Sequence, residues 1–179
     1  MKKFTLFALA MMTLLPGTTK AESWEKTVTT KAEWDAAVKA IGGVSGETYV
    51  ITLDGDASTS INTGTWKPTA TSGRIIIRSN QTEYDKMPQL LARIDWANDL
   101  ADNGGNGKNL SLIFENINLQ FNGGASASSG QIVYFNKKRA PIDTIAFRNC
   151  DINNCPRTIM RSVPVDNAEE TDYHKLDVF

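Results

Sequence analysis

The chain has 179 residues, two cysteines, one histidine and a formal charge of -1. Without Lys2, Lys3 and Lys20 it keeps 16 basic residues against 20 acidic ones, a formal charge of -4. A weakly acidic chain without basic clusters is a poor partner for nucleic acid or an anionic membrane. Two cysteines and one histidine in this spacing make no zinc pattern.

Residues 1–21 read as a secretory signal peptide. Met1-Lys2-Lys3 is a positive start, FTLFALAMMTLLP an apolar stretch too short to span a membrane, and Ala21 a small residue for cleavage. The residue directly after the cleavage point is Glu22 and not a cysteine, so a lipoprotein route is not expected, and neither is membrane insertion. The protein is expected to be exported, to the periplasm, the cell surface or beyond. Residues 22–46 are expected to hold an N-terminal strand and a helix. TKAEWDAAVKAIGG (30–43) supplies the helix: Thr30 and Glu33 form a capping box. Trp34, Ala37, Val38 and Ile41 make one apolar stripe, and Gly42-Gly43 ends it.

Residues 47–179 carry a repeat. TYVITL (48–53) is a strand. GRIIIRSN, LIFENINLQF and IAFRNCDINN then align, with Ile77, Phe114 and Phe147 spaced by 37 and 33 residues. Each copy reads apolar, any, apolar, charged, small polar, the period of a strand with one face buried. ARIDW (92–96), QIVYFN (131–136) and RTIMRSV (157–163) are expected as further strands within each period. Short strands recurring every thirty-odd residues without matched hairpins indicate an all-β solenoid, a parallel β-helix capped by the helix. Ile77, Phe114 and Phe147 should then stack inside, while Arg78, Glu115 and Arg148 line the outside as plus, minus, plus.

Ser79, Asn116 and Asn149 share one column. Stacked amides can bond along such a column, so they are expected as a structural ladder or turn. Cys150 falls in the apolar column of Ile117, which favours a packed free thiol over a disulfide to Cys155. Asp54 and Asp56 are expected to shape a turn. Leu176, Val178 and Phe179 fall where the next core strand is due, so further coils are expected beyond residue 179.

The opening EWDAAV and GETYVITLDGD resemble the start of pectin-lyase-like right-handed β-helix proteins. LIFENINL, IAFRNCDI and CPRTIMR are similar to a family of secreted bacterial pectin-lyase-like domains without assigned function, which often accompany polysaccharide-degrading systems. The resemblance spans roughly 27–179. It implies a right-handed coil and a polysaccharide or oligosaccharide partner, but no catalytic residue.

Lyases of this fold combine calcium-binding carboxylates with an Arg or Lys base. Arg157 and Arg161 are the candidates here, and both read more simply as surface or loop residues. Arg148 and Asp151, three apart on or beside one strand, should face opposite sides. DNGGNG (102–107) could offer calcium oxygens but lacks spaced acidic ligands. His174 has no nucleophile motif to serve. Trp66 and Trp96 could stack on sugars, though buried roles are commoner. Two readings stay open: an enzyme acting on polysaccharide, and a non-catalytic glycan-binding or structural solenoid. A cluster of acids with Arg or Lys in one groove would mark the first; exposed aromatics without such a cluster would mark the second.

Overall fold

A computed structural model describes residues 23–41, 48–68, 73–96, 110–123, 130–135, 142–162 and 176–178. Residues 1–22, DNGGNG, His174 and Phe179 lie outside the described residues. Strand β1 (Ser23–Val28) leads into helix α1 (Lys31–Ile41). The capping box closes the helix start: Glu33 Oε2 accepts the N–H of Thr29 at 2.7 Å and of Thr30 at 3.0 Å. Thr30 Oγ1 accepts the Glu33 N–H at 3.3 Å. These bonds, led by the Thr29 N–H, hold the Glu33 carboxyl below its ordinary 4.5. α1 serves as the crossover that two parallel strands require. It buries Trp34, Ala37 and Ile41. Trp34 meets Trp66 edge to face, ring centroids 5.8 Å apart.

From there the chain alternates between two parallel sheets. Sheet A holds, in spatial order, β1, β2 (Thr48–Leu53), β4 (Gly73–Ser79), β6 (Leu110–Glu115), β9 (Ile142–Arg148) and β12 (Leu176–Val178). Sheet B holds β3 (Ser60–Trp66), β5 (Gln89–Trp96), β7 (Asn118–Phe121), β8 (Gln131–Phe135), β10 (Asp151–Asn153) and β11 (Thr158–Ser162). β5 pairs with β3 along one edge. On its other edge it pairs with β7 through Gln89–Ala92 and with β8 through Ile94–Trp96. β10 and β11 repeat that split against β7 and β8. The protein is therefore mostly β, in parallel sheets, with one α-helix among the described residues.

The expected stack is present in sheet A. Ile51, Ile77, Phe114 and Phe147 lie opposite one another and are all buried. The Phe114 and Phe147 rings stack 5.3 Å apart with an interplanar angle of 5°. In the register of β12, Val178 lies opposite Phe147. Tyr49, Ile75, Leu112 and Ile145 form a second inner row. Between these rows, facing the other way, runs Val50, Ile76, Ile113 and Ala146. Three of these four are also buried, at 8%, 4% and 1% exposure for Val50, Ile113 and Ala146. The position read as "any" is apolar in every copy. The middle of sheet A is thus apolar on both faces, as parallel sheets commonly are, while its outer face continues into the row Thr52, Arg78, Glu115 and Arg148.

Arg78, Glu115 and Arg148 lie opposite one another as expected, and Arg148 bonds Glu115 at 2.8 Å. One correction concerns the partner of Arg78. Arg78 reaches back over Thr52 to Glu25 at 2.8 Å. β1 brings a carboxylate onto this face that the repeat phrases do not include. A second correction concerns Arg148 and Asp151. They do not share a strand: Arg148 ends β9 in sheet A and Asp151 opens β10 in sheet B.

Candidate functional site

The corners between sheets decide which polar side chains are left for other work. After β6 and β9 the chain turns in two residues, Asn116-Ile117 and Asn149-Cys150. Asn116 and Asn149 sit at φ of 57° and 47°, the left-handed region that Asn tolerates better than most side chains. Asn149 Nδ2 donates to Asn116 Oδ1 at 2.7 Å and to the Thr82 carbonyl at 3.2 Å. Asn116 Nδ2 reaches the Ser79 carbonyl at 3.4 Å, and the Ser79 hydroxyl donates to the Asn116 carbonyl. These amides bond to the corner itself. The first corner, by contrast, uses Asp56, whose Oδ1 accepts the Ser58 hydroxyl at 2.6 Å and N–H at 2.9 Å. Those bonds hold its carboxyl below the ordinary 3.8.

Beyond the corners, sheet B presents a polar outer face. In β5, Leu90, Ala92 and Ile94 are buried inward, so Gln89, Leu91, Arg93 and Asp95 point out. In β7, Leu119 and Phe121 point in, and Asn118 and Gln120 point out. Register places Ser60, Gln89, Asn118 and Asp151 in one row, and Asn62, Leu91, Gln120 and Asn153 in the next. Seven of these eight side chains are polar. Neighbours within a row stand about 4.8 Å apart across the strands.

The grid is cross-linked. Asn118 Oδ1 accepts from Gln120 Nε2 and Asn153 Nδ2, each at 3.1 Å. Asn153 Nδ2 also donates to Asp151 Oδ2 at 3.0 Å. Asn154, left-handed at φ 49°, donates to Gln120 Oε1 at 2.9 Å. These bonds fix rotamers that would otherwise be mobile. Among the described residues these bonds do not use the Asn118 Nδ2, the Asn153 Oδ1 or the second Asp151 oxygen, on the outward-facing side of the sheet. The result is a preset array of donors and acceptors. The sequence carries its signal: NINLQ and DINN both alternate polar and apolar with an amide or acid at each outward position. It is hidden because the same letters also spell the ladder.

Farther along β5, Asp95 lies opposite Tyr134, and Tyr134 opposite Arg161. The Arg93 guanidinium sits 6.0 Å from the Tyr134 ring centre. Of the candidate catalytic residues, Arg157 is exposed just before β11, and the Arg161 side chain lies outside the described residues. Trp66 is buried against Trp34 and so is not available to a sugar; the Trp96 side chain lies outside the described residues. Among the described residues no group of three His, Cys, Asp or Glu converges as a metal site.

Cys150 and Cys155 are free thiols. Burial pushes both thiols up, which keeps them protonated and unreactive near neutral pH. The Cys155 thiol donates to the Thr158 carbonyl at 3.0 Å.

A scan against protein-family models, a search of curated proteins and a search of solved structures each returned no match. Function is therefore argued from this geometry.

Proposed function

We propose that the protein is an exported right-handed parallel β-helix that binds a hydroxyl-rich polysaccharide across the outer face of sheet B. The parallel pairing of strands from successive passes in both sheets supports the solenoid reading. The resemblance to pectin-lyase-like domains supports the hand and the ligand class. The observation that carries binding is the cross-linked grid of Asn118, Gln120, Asp151 and Asn153. Sugar hydroxyls both donate and accept, and a row of amides does the same. Because the side chains already hold one another, little rotamer freedom is lost on binding. Each row crosses the strands at a spacing close to one pyranose unit of an extended chain, so a polymer lying across β5, β7 and β10 meets equivalent groups repeatedly.

The test uses native gels containing hydroxyethyl cellulose, xylan or polygalacturonate. At least one should retard the protein, and Asn118→Ala with Asn153→Ala should abolish most of that retardation while the melting temperature holds. Free migration in all three gels would end the proposal. Absorbance of unsaturated product in the polygalacturonate sample separates a lyase from a binding protein in the same experiment.

A further inference from the structure

Four described corners carry the chain from sheet A to sheet B. Two of them take two residues, Asn116-Ile117 and Asn149-Cys150. The one between Ser79 and Gln89 takes nine, Asn80–Pro88. The extra length is firmly tied. Gln81 N–H donates to Ser79 Oγ at 3.1 Å, and Gln81 Nε2 to the Gly55 carbonyl at 3.1 Å. The Thr82 carbonyl accepts Asn149 Nδ2, and the Pro88 carbonyl accepts the Asn118 N–H at 3.1 Å. Met87 is fully buried. A short 3-10 turn, Tyr84–Lys86, is closed by Lys86 N–H to the Glu83 carbonyl at 3.0 Å and by a Lys86–Glu83 ion pair at 2.7 Å.

On this anchored turn stands Tyr84, 60% exposed, the one large hydrophobic side chain exposed among the described residues. A lone exposed apolar residue is ordinary on a protein surface. This one differs in its setting. Its loop is fastened to Asn149 at one corner and to the backbone of Asn118 at the other. It runs directly into Gln89, the β5 member of the first amide row. The amide grid offers hydrogen bonds but only Leu91 as apolar surface. A pyranose ring has hydroxyl edges and C–H faces, and recognition of it uses both.

We infer that Tyr84 is the sugar-stacking platform at the border of the sheet B face. Its ring covers the C–H face of one sugar residue while the amide rows take the hydroxyls of the neighbouring ones. Tyrosine suits the task, with an apolar body, a polar tip and two χ angles to fix. This inference rests on the proposed role of sheet B, and the test separates the two.

Retardation by hydroxyethyl cellulose, xylan and polygalacturonate is measured for the full chain and for Tyr84→Ala, Tyr84→Phe and Asn118→Ala. Tyr84→Ala should weaken binding about tenfold, a change of about 1.4 kcal/mol. Tyr84→Phe should restore it to within about threefold, since the ring face is kept. Neither change should move the melting temperature, because the side chain is exposed. Nitration of Tyr84 by tetranitromethane, mapped by peptide mass, should slow when the retarding polysaccharide is present. If the parent chain is retarded, Asn118→Ala weakens it and Tyr84→Ala does not, the platform is wrong and the amide face stands. If no polysaccharide retards the parent chain, both fall together.

Discussion

Sheets A and B are built from the same chain passes and look out on opposite physical problems. Sheet A keeps one strand per pass from β1 to β12, with one register shift between β6 and β9 at Leu110/Ser111 and with apolar side chains on both faces of its middle. Sheet B keeps its inward rows apolar, but its later passes split into β7 and β8, then β10 and β11, and its outward rows are amides and acids. A sheet that must stack accurately can spend both faces on burial. A sheet that must meet water or a ligand can spend only one. The contrast teaches that sheet A sets the register of the whole molecule and that sheet B is free to vary its outer side chains at little structural cost.

The largest expected effect lies where both sheets meet the helix. Trp34 packs against Trp66 of sheet B at the end of the stack, 1% exposed. Trp34→Asp should cost at least the roughly 3 to 5 kcal/mol typical of losing a buried aromatic. Thermal melting by circular dichroism should show a loss of about 10 °C or no cooperative transition. An unchanged melting temperature would detach α1 from the core.

The comparison itself is tested by paired substitutions on the two outer faces. Ile113→Asn in sheet A buries an amide at a 4% exposed position and should cost roughly 2 to 4 kcal/mol. Asn153→Ala in sheet B should cost under about 1 kcal/mol in urea unfolding, since the site is half exposed. Equal costs would erase the distinction between the sheets.

A corner comes next. Asn116→Ala removes the side-chain amide that lets Asn tolerate the left-handed region better than most residues, and with it the acceptor of Asn149, for about 1 to 2 kcal/mol. Asn116→Gly should recover part of that, because glycine takes this conformation without strain.

Acidification gives a smaller effect. Glu33 has a folded-state pKa held below its ordinary 4.5, so its contribution is present above pH 4.5 and is lost as pH falls through the folded value. Glu33→Gln should lower the melting temperature slightly at pH 7 and reduce the further loss as pH falls below 4.5. A parallel drop in both proteins would show that the capping carboxylate does not contribute. The smallest effect belongs to Glu115→Gln, which removes an ion pair that is half exposed on its Arg148 side and should cost about 0.2 to 1 kcal/mol, less at high salt.

The inner rows were legible because burial enforces period two, and Ile77, Phe114 and Phe147 have no other way to satisfy it. The capping box was legible because four adjacent residues contain all of it. Ile76, Ile113 and Ala146 were there to be read in IIIR, LIFE and IAFR, but a one-face strand model discards every second position. Arg78 was assigned to Glu115 because SWEKTV lacks the repeat phrase, so Glu25 had no register until β1 paired with β2. The left-handed Asn corners could be read only as amides, since backbone φ leaves no letter of its own. For the sheet B grid, the alternation in NINLQ and DINN was visible. Its cross-links depend on rotamers and on Asn154, and those required coordinates.

The in-register pairing has a consequence for how the molecule assembles. Partner residues in sheet A are 37 apart between Ile77 and Phe114 and 33 apart between Phe114 and Phe147. Each pass therefore needs only the pass before it as a template, and closing such a loop costs nearly the same entropy every time. A chain delivered from its N-terminus can seat α1 and β1 first and add one layer at a time. No layer waits for sequence that has yet to appear. Pulled from the other end, the same molecule would come apart as a zipper, losing one rung per step of force.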